Sequence, residues 1–256
     1  MRVSWAAASH AGLQRPNNED SYCARPDLGL FVVADGMGGH TAGEVASQTA
    51  VSAIADAMHR TATSDGQLTS SVSIESWLSV GADRLQAAFI EANHRISDLA
   101  TNNVKLTGMG TTATAILVEG KQAVLAHVGD SRVYRLRQGS LERLTLDHSW
   151  VEEQVRSGTL SAAMADQHPW RNIVTRALSG DKDLEVDISE VLLETSDRLL
   201  LCSDGLFAVL GDEAIERLLG LKGPLQQVCD VLVKEVNCGG GPDNVCLLYT
   251  SPSPRD

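Results

Sequence analysis

The amino-acid sequence predicts an α+β fold, with helices packed on antiparallel sheets in a single domain. The predicted strands come in clusters between pairs of helices and do not alternate with helices one by one. The chain has 256 residues, of which 43% are hydrophobic and 21% are charged, so it can bury a substantial core. No internal repeat and no linker interrupts the sequence, which favours one domain over two.

The first half of the chain contains two predicted strands and two predicted helices. Residues 3–8 and 28–34 are predicted strands, and the continuous apolar run of the second is typical of a strand buried on both faces. Small or apolar residues recur at helical spacing over 45–58, and again over 77–99, where they indicate a longer helix. Between these helices, the Ser/Thr-rich segment 61–73 predicts a loop.

The second half begins with a cluster of short strands and ends with a pair of helices. Ser149 and Glu152 form a capping-box pattern that begins a helix, and Gly158 ends it. The segment 159–182 shows no clear periodicity and is expected to be irregular. The remaining expected elements are strands at 112–118, 122–128, 132–136, 184–193 and 198–203, and helices at 212–219 and 224–236.

The charge balance argues against nucleic-acid and membrane partners. Lys and Arg total 21 against 33 for Asp and Glu, so the formal net charge is −12, and such a chain has no general attraction for phosphate backbones. No apolar run approaches the ~20 residues of a membrane helix, and the first residues are too polar for a signal peptide. The cysteines show no Cys-x-x-Cys pair, so neither a zinc site nor a disulfide framework is indicated. We expect a monomeric protein in the cytoplasm.

The end of the sequence has an unusual composition. Residues 246–256 read CLLYTSPSPRD, which resembles the translation of a sequencing-library adapter, so we expect the natural domain to span residues 1–245. The alternative is a natural tail rich in Ser and Pro. The apolar residues that begin this segment could still complete a strand, but we assign the segment no function.

Acidic residues stand at or near the ends of predicted strands in four places. One Asp-Gly pair is usually only a turn, whereas four acids in a similar context suggest that they converge. Converging carboxylates repel one another and need a cation, for which an all-oxygen set favours Mg²⁺ or Mn²⁺. On this pattern alone, turns and a divalent-metal site remain equally open. The acids are Asp35, Asp130, Asp204 and Asp243.

A further polar segment, RPNNED, precedes these acids in the chain. The planar guanidinium of Arg15 matches a phosphate group through two parallel hydrogen bonds. The carboxylates of Glu19 and Asp20 could join a metal site. The simpler interpretation is a turn with a solvated arginine, because Pro-Asn-Asn is typical of turns.

Six motifs together resemble a known family. In chain order they are RPNNED, ADGMGGHTAGE, GMGTTATA, HVGDSRVYRL, SDGL and GPDNV, and they resemble the motif set of the metal-dependent type 2C serine/threonine protein phosphatases in their bacterial form. The match spans residues 8–245. The resemblance implies a single phosphatase catalytic domain, with a central antiparallel β-sandwich flanked by helices on both faces in four layers (αββα). It also implies a phosphoprotein substrate and a cognate bacterial Ser/Thr kinase.

The resemblance assigns metal-binding roles to particular residues. Asp35 would bridge two Mn²⁺ or Mg²⁺ ions, and the carbonyl of Gly36 would bind one of them. Asp204 and Asp243 would bind the ion on the other side. Asp20 would hold the site through metal-bound water, with Glu19 beside it.

The resemblance also implies the reaction. A hydroxide that bridges two ions ~3.5–4 Å apart would attack phosphorus in line, without a covalent intermediate. Arg15 would grip the substrate phosphate and balance the charge of its oxygens. Asp130 would help to bind a third, weaker ion, with Asp204 shared between the sites.

One position departs from the pattern of animal members. Those enzymes have a histidine directly after the Asp-Gly pair, where it is proposed to protonate the leaving alkoxide, whereas this chain has Met37. Bacterial relatives often share this Met-Gly-Gly form. His40 is a candidate for the general acid, but a lone histidine is more often a hydrogen-bonded or surface residue. Metal-bound water is the favoured proton source.

The resemblance places a variable flap beside the active site, at residues 147–182. His168, Trp170 and Arg171 could contact substrate there, although a packed tryptophan with solvated neighbours is the favoured interpretation. Arg132 is expected to anchor the loop that carries Asp130. Thr111 and Thr112 are expected to serve strand packing.

Two rival functions stay open on the sequence alone. The first is a metal-dependent hydrolase of small phosphate esters, with no protein partner. The second is a pseudophosphatase that only binds, against which the intact Asp35, Asp204 and Asp243 set argues. A dinucleotide-binding fingerprint is rejected, because the G-x-G-x-x-A pattern at 108–113 precedes a strand and does not follow one.

Overall fold

Two antiparallel β-sheets stack face to face in the computed structural model, which describes residues 3–38, 41–64 and 74–252. The strands of the first sheet, in spatial order and numbered along the chain, are β1 (Val3–His10), β11 (Val245–Pro252), β10 (Arg198–Cys202), β7 (Arg132–Arg137) and β8 (Ser140–Arg143). The strands of the second sheet are β2 (Asp20–Arg25), β3 (Leu30–Met37), β5 (Ala113–Glu119), β6 (Gln122–Val128) and β9 (Asp187–Leu192), with β4 (Gly110–Thr111) paired to the end of β3.

Helices cover both outer faces of this sandwich. On the second sheet lie α1 (Ala42–Ser64) and α2 (Ile74–Asn102), and on the first lie α6 (Asp212–Leu219) and α7 (Leu225–Cys238). The connections contain α3 (Trp150–Arg156), α4 (Ala162–Ala165), α5 (Asp204–Phe207) and a 3₁₀ turn at Val104–Leu106. The predicted α+β fold, a helix-flanked antiparallel sandwich in four layers, is confirmed.

Strand β3 shows why four layers form. Its side chains alternate between the two faces of the sheet. Leu30, Val32 and Ala34 pack against the helix layer, whereas Phe31 and Val33 pack into the space between the sheets. Since all of them are fully buried, the prediction of a strand covered on both faces is confirmed.

The predicted loop at 61–73 is wrong at its start, because α1 continues to Ser64. The side chain of Arg84 on α2 donates to the Thr61 hydroxyl and to the carbonyl of Met58, and Thr61 donates to the carbonyl of Ala57. These contacts hold the last turn of α1 against a composition that disfavours helix. Residues 65–73 lie outside the described part of the chain.

The segment that begins at Cys246 completes a strand, as its apolar pattern allows. Strand β11 pairs with β1 on one side and β10 on the other, and its residues Cys246 to Tyr249 are fully buried. The adapter origin of residues 246–256 and the limit of the natural domain stay predictions. Within the described residues, no helix is long and apolar enough to cross a membrane.

Candidate active site

The strand-end acids meet in one cleft at an end of the sandwich. Asp35 lies near the end of β3, Asp204 begins α5 one residue beyond β10, and Asp243 precedes β11. With Asp130, which follows β6, and Arg15 at the rim, they line an open cleft of about 600 Å³. The convergence that the pattern only suggested is therefore present in the fold.

Asp35 is held at its backbone by two threonines. The Asp35 N–H donates to the Thr112 hydroxyl at 3.0 Å, and the Thr112 N–H donates to the Asp35 carbonyl at 2.9 Å. The Thr111 hydroxyl donates to the same carbonyl at 2.7 Å. Both threonines therefore position Asp35, a role beyond the strand packing expected of them.

Asp20 lies opposite Asp35, as its partner in the β2–β3 register. The Ser203 hydroxyl donates to its Oδ2 at 2.8 Å, while Ser203 itself accepts from the backbone N–H of Cys246. The other oxygen, Asp20 Oδ1, is buried without a hydrogen-bond partner. Because an unpaired buried carboxylate oxygen is costly, this atom indicates that something else binds here.

The carboxylates raise one another's pKa. Asp35 lies among the carboxyl groups of Asp20, Asp204, Asp130 and Asp243, whose negative charges act on it. Burial, and then repulsion by the surrounding acids, hold the pKa of Asp35 well above its ordinary value. The same two causes, burial first, raise the pKa of Asp204 to about 6, of Asp20 to about 7 and of Asp130 to about 8.

The glycines that follow two of these acids permit close backbone approach. A Cβ on Gly36 would lie 2.1 Å from the carbonyl oxygen of Gly43 and 2.6 Å from that of Glu19. A Cβ on Gly205 would lie 1.9 Å from the carbonyl oxygen of Asn244. Both Asp-Gly pairs therefore mark places where a second chain segment crosses, and neither is a simple surface turn.

Arg15 stands at the mouth of the cleft. Its Nη2 donates to Asp243 Oδ2 at 2.7 Å, while about half of its side chain remains exposed. The neighbouring Asn244 ties the loop of Arg15 to the frame, because its side chain donates to the carbonyls of Ala11 and Asn17 and accepts from the N–H of Glu19. In the sequence, only the Asp-Asn pair of the GPDNV motif pointed to Asn244, and it gave no indication of these three hydrogen bonds.

The opposite wall of the cleft belongs to the flap. Asn172 and Val174 line the cleft, as does Met37 of β3. At the start of the flap, the guanidinium of Arg132 makes a bidentate pair with Asp147, at 3.0 and 2.6 Å for its closest bonds. This pair fits the expectation that Arg132 anchors the chain around Asp130.

His168, Trp170 and Arg171 do not line the cleft within the described residues. Trp170 is 51% exposed and packs edge-on against Trp150, with ring centroids 4.8 Å apart. His168 stacks on the same Trp150 ring. The arrangement is closer to a packed tryptophan with solvated neighbours than to a substrate contact. His40, the other candidate, lies outside the described residues.

An acid-lined cleft with a rim arginine, built at the end of a helix-flanked sandwich, is the arrangement that the resemblance to metal-dependent phosphatases predicts. Residues 8–236 match the family model described as protein phosphatase 2C. The chain is 40% identical to the serine/threonine phosphatase stp of Listeria monocytogenes over 240 residues, which is 93% of this chain and 91% of that protein. The chain belongs to the protein phosphatase 2C family and is an enzyme of that family.

Solved structures agree in fold. The serine/threonine phosphatase PstP/Ppp of Mycobacterium tuberculosis superposes with a TM-score of 0.85 at 37% identity, covering 97% of this chain and 98% of that one. The catalytic domain of PstP, in complex with two manganese ions, superposes with a TM-score of 0.82 at 36% identity, covering 97% of each chain. That complex confirms the predicted cofactor for the family.

The residues of this cleft fit divalent ions. The donors are all oxygen, one buried carboxylate oxygen has no partner, and mutual repulsion raises the pKa of the acids. Among the described residues, no group of three His, Cys, Asp or Glu side chains is already arranged as a metal cage. Mg²⁺ and similar ions commonly keep several waters and bind through one or two carboxylates, so the paired acids here suffice.

Proposed function

We propose that this enzyme hydrolyses phosphoserine and phosphothreonine in proteins, opposing a bacterial Ser/Thr kinase in the cytoplasm. The observation that supports it best is the Arg15–Asp243 pair at the rim of the carboxylate cleft. A half-exposed guanidinium can bind a phosphate dianion while the acids behind it hold cations. The open cleft has room for a phosphorylated side chain that projects from a protein surface, and Arg15 supplies a positive charge there that the acidic chain lacks overall.

We assign the metal-binding roles as the family resemblance implies. Asp35 with the Gly36 carbonyl, and Asp204 with Asp243, would hold two ions, while Asp20 supports the site and Asp130 serves a third ion. When bound, the two ions lower the pKa of a water between them, so that it attacks phosphorus in line and no covalent intermediate forms. Arg15 orients the phosphate and stabilises the charge on its equatorial oxygens.

Proton delivery to the leaving oxygen must avoid Met37, because a thioether carries no proton. The cleft is open to solvent along the flap wall at Asn172 and Val174. Water in the cleft therefore supplies the proton. The bonds of Thr111 and Thr112 to the Asp35 backbone hold this carboxylate in place for the cations.

The test is phosphate release from a phosphothreonine peptide in Mn²⁺, with EDTA as a second condition. Asp204→Ala should lower the turnover by about 100-fold or more, because it removes one of the carboxylates that would hold the metal ions. Asp230→Ala, which removes an exposed acid from α7, is the matched control and should retain wild-type turnover.

Release that requires Mn²⁺ and disappears in Asp204→Ala would support the proposal. No release by the wild type at any Mn²⁺ concentration would contradict it. Faster turnover of small metabolite phosphates than of phosphopeptides would favour the small-ester hydrolase over the protein phosphatase.

A further inference from the structure

His148, the second residue of the flap, grips the turn that carries Asp130. Its backbone N–H donates to the carbonyl of Gly129 at 2.7 Å, and its imidazole Nδ1 accepts from the N–H of Gly129 at 3.0 Å. One buried residue therefore satisfies both backbone groups of Gly129. This double contact leaves the turn little freedom next to the Asp130 carboxylate.

The other side of His148 is tied to the returning part of the flap and to β9. The Thr175 N–H donates to the His148 carbonyl at 2.8 Å. The imidazole Nε2 lies 3.1 Å from Asp187 Oδ2, and Arg176 donates to the second oxygen of Asp187 at 2.7 Å. His148 is thus the point at which both strands of the flap and the Asp130 turn meet.

These contacts determine the tautomer of His148. Since Nδ1 accepts from the Gly129 N–H, it carries no proton, and the ring proton resides on Nε2. The Nε2–H then donates to Asp187. The same ring must therefore accept a hydrogen bond from the turn and donate one to β9.

The turn is also held from the opposite side. Gly129 has φ +110, and a Cβ there would lie 2.5 Å from the side chain of Thr112. The Thr112 hydroxyl bonds to Ser131 at 2.7 Å and accepts from the Asp35 N–H. The turn is therefore clamped between the segment that positions Asp35 and the base of the flap.

We propose that His148 is a positioning residue that ties the flap to the Gly129–Asp130 turn and thereby fixes the Asp130 carboxylate at the cleft. The kinetic part of this inference rests on the proposed function, in which Asp130 serves an ion. The structural part, the coupling between flap and turn, does not. Loss of the imidazole should loosen the turn locally and raise the Mn²⁺ concentration that half-maximal activity requires.

The test compares three variants of the full chain by amide hydrogen exchange at Gly129 and by the Mn²⁺ concentration for half-maximal phosphatase activity. His148→Leu removes the acceptor. His148→Asn restores an acceptor at the position of Nδ1 while losing the reach to Asp187. His168→Leu, a flap histidine that contacts Trp150, is the matched control.

We expect His148→Leu to speed exchange at Gly129 by about tenfold, as the loss of one hydrogen bond should, and to raise the required Mn²⁺ concentration severalfold. His148→Asn should keep Gly129 protection near the wild-type value, and His168→Leu should change neither quantity. Unchanged exchange at Gly129, or a uniform increase across the whole protein, would overturn the inference. If the wild type shows no Mn²⁺-dependent activity, the proposed function fails, and the exchange result still decides on the coupling.

Discussion

The two walls of the cleft are built differently. The sandwich wall, formed by Asp35, Asp204 and Asp243, stands at the ends of strands whose side chains pack into three buried clusters. The flap wall, formed by Asn172 and Val174 within residues 147–182, comes from a segment of short helices with half-exposed apolar side chains. The charged residues that the reaction needs lie on the sandwich wall, which is supported by the buried core. The flap wall is held by a few side-chain contacts.

The sandwich wall carries an energetic cost that the flap wall does not. Buried acids within reach of one another disfavour the ionised state that the cations require. Only a well-packed frame tolerates such repulsion. The effects of substitution should therefore decrease from the carboxylate end of the cleft to the flap wall.

Among substitutions that leave the carboxylate cluster intact, the largest effect is expected at Arg15. Arg15→Ala should lower kcat/KM for a phosphothreonine peptide by about 100-fold, because the phosphate loses its bidentate partner. Stability should change little, since the pair with Asp243 is solvent-exposed. The control is Arg25→Ala, which removes an arginine paired with Asp27. An unchanged KM and kcat in Arg15→Ala would contradict the assigned role.

An intermediate effect is expected on the pH dependence of stability without metal. Asp204, Asp20 and Asp130 have pKa values of about 6, 7 and 8 in the folded protein, above the ~3.9 of an unfolded chain. The folded state therefore holds more protons, and the free energy of unfolding falls as pH rises through this range.

A buried histidine acts in the opposite direction at lower pH. Burial lowers the pKa of His127 to about 4. Its contribution to the free energy of unfolding therefore increases with pH up to ~6.5, the pKa of an unfolded histidine. The carboxylates act without that opposition from about pH 6.5 to 8. Thermal unfolding in EDTA should show a decreasing Tm across this window. A rising or constant Tm would contradict the repulsion among the acids.

The smallest effect is expected on the flap wall, at Trp170. Trp170→Ala should lower Tm by only about 1–3 °C, because half of the side chain is already exposed. Turnover of a small aryl phosphate should stay unchanged. A higher KM for phosphopeptides alone would show that Trp170 contacts substrate, against the packing interpretation. Trp150→Ala, which removes the ring that Trp170 and His168 both contact, should destabilise more.

The acids of the sandwich wall were predictable because each follows a local pattern. Asp35 comes directly after an apolar run that folds as a buried strand, and Asp204 comes one residue after another such run. A glycine follows each of the two acids and marked close backbone approach. The cap of Ser149 on α3 was predictable for the same reason, since its partner Glu152 is three residues away.

Features that depend on distant residues were not predictable. Strand β2, which places Asp20 opposite Asp35, is an edge strand whose half-buried residues give no clean alternation. Ser203 and Asn244 act through bonds to Asp20 and to the loop of Arg15, far away in sequence. The motifs SDGL and GPDNV include Ser203 and Asn244, but only the fold shows which atoms these two side chains bind.

The most direct test of the account measures the Tm of the wild type and of Asp35→Asn at pH 8, in EDTA and in Mn²⁺. Without metal, Asp35→Asn should melt above the wild type, because it removes one buried negative charge from the cluster. Mn²⁺ should raise the Tm of the wild type by about 5–10 °C at saturating concentration and should leave the variant almost unchanged. A variant that melts at or below the metal-free wild type, with the same Mn²⁺ shift, would contradict the central claim that these acids are held together for cations.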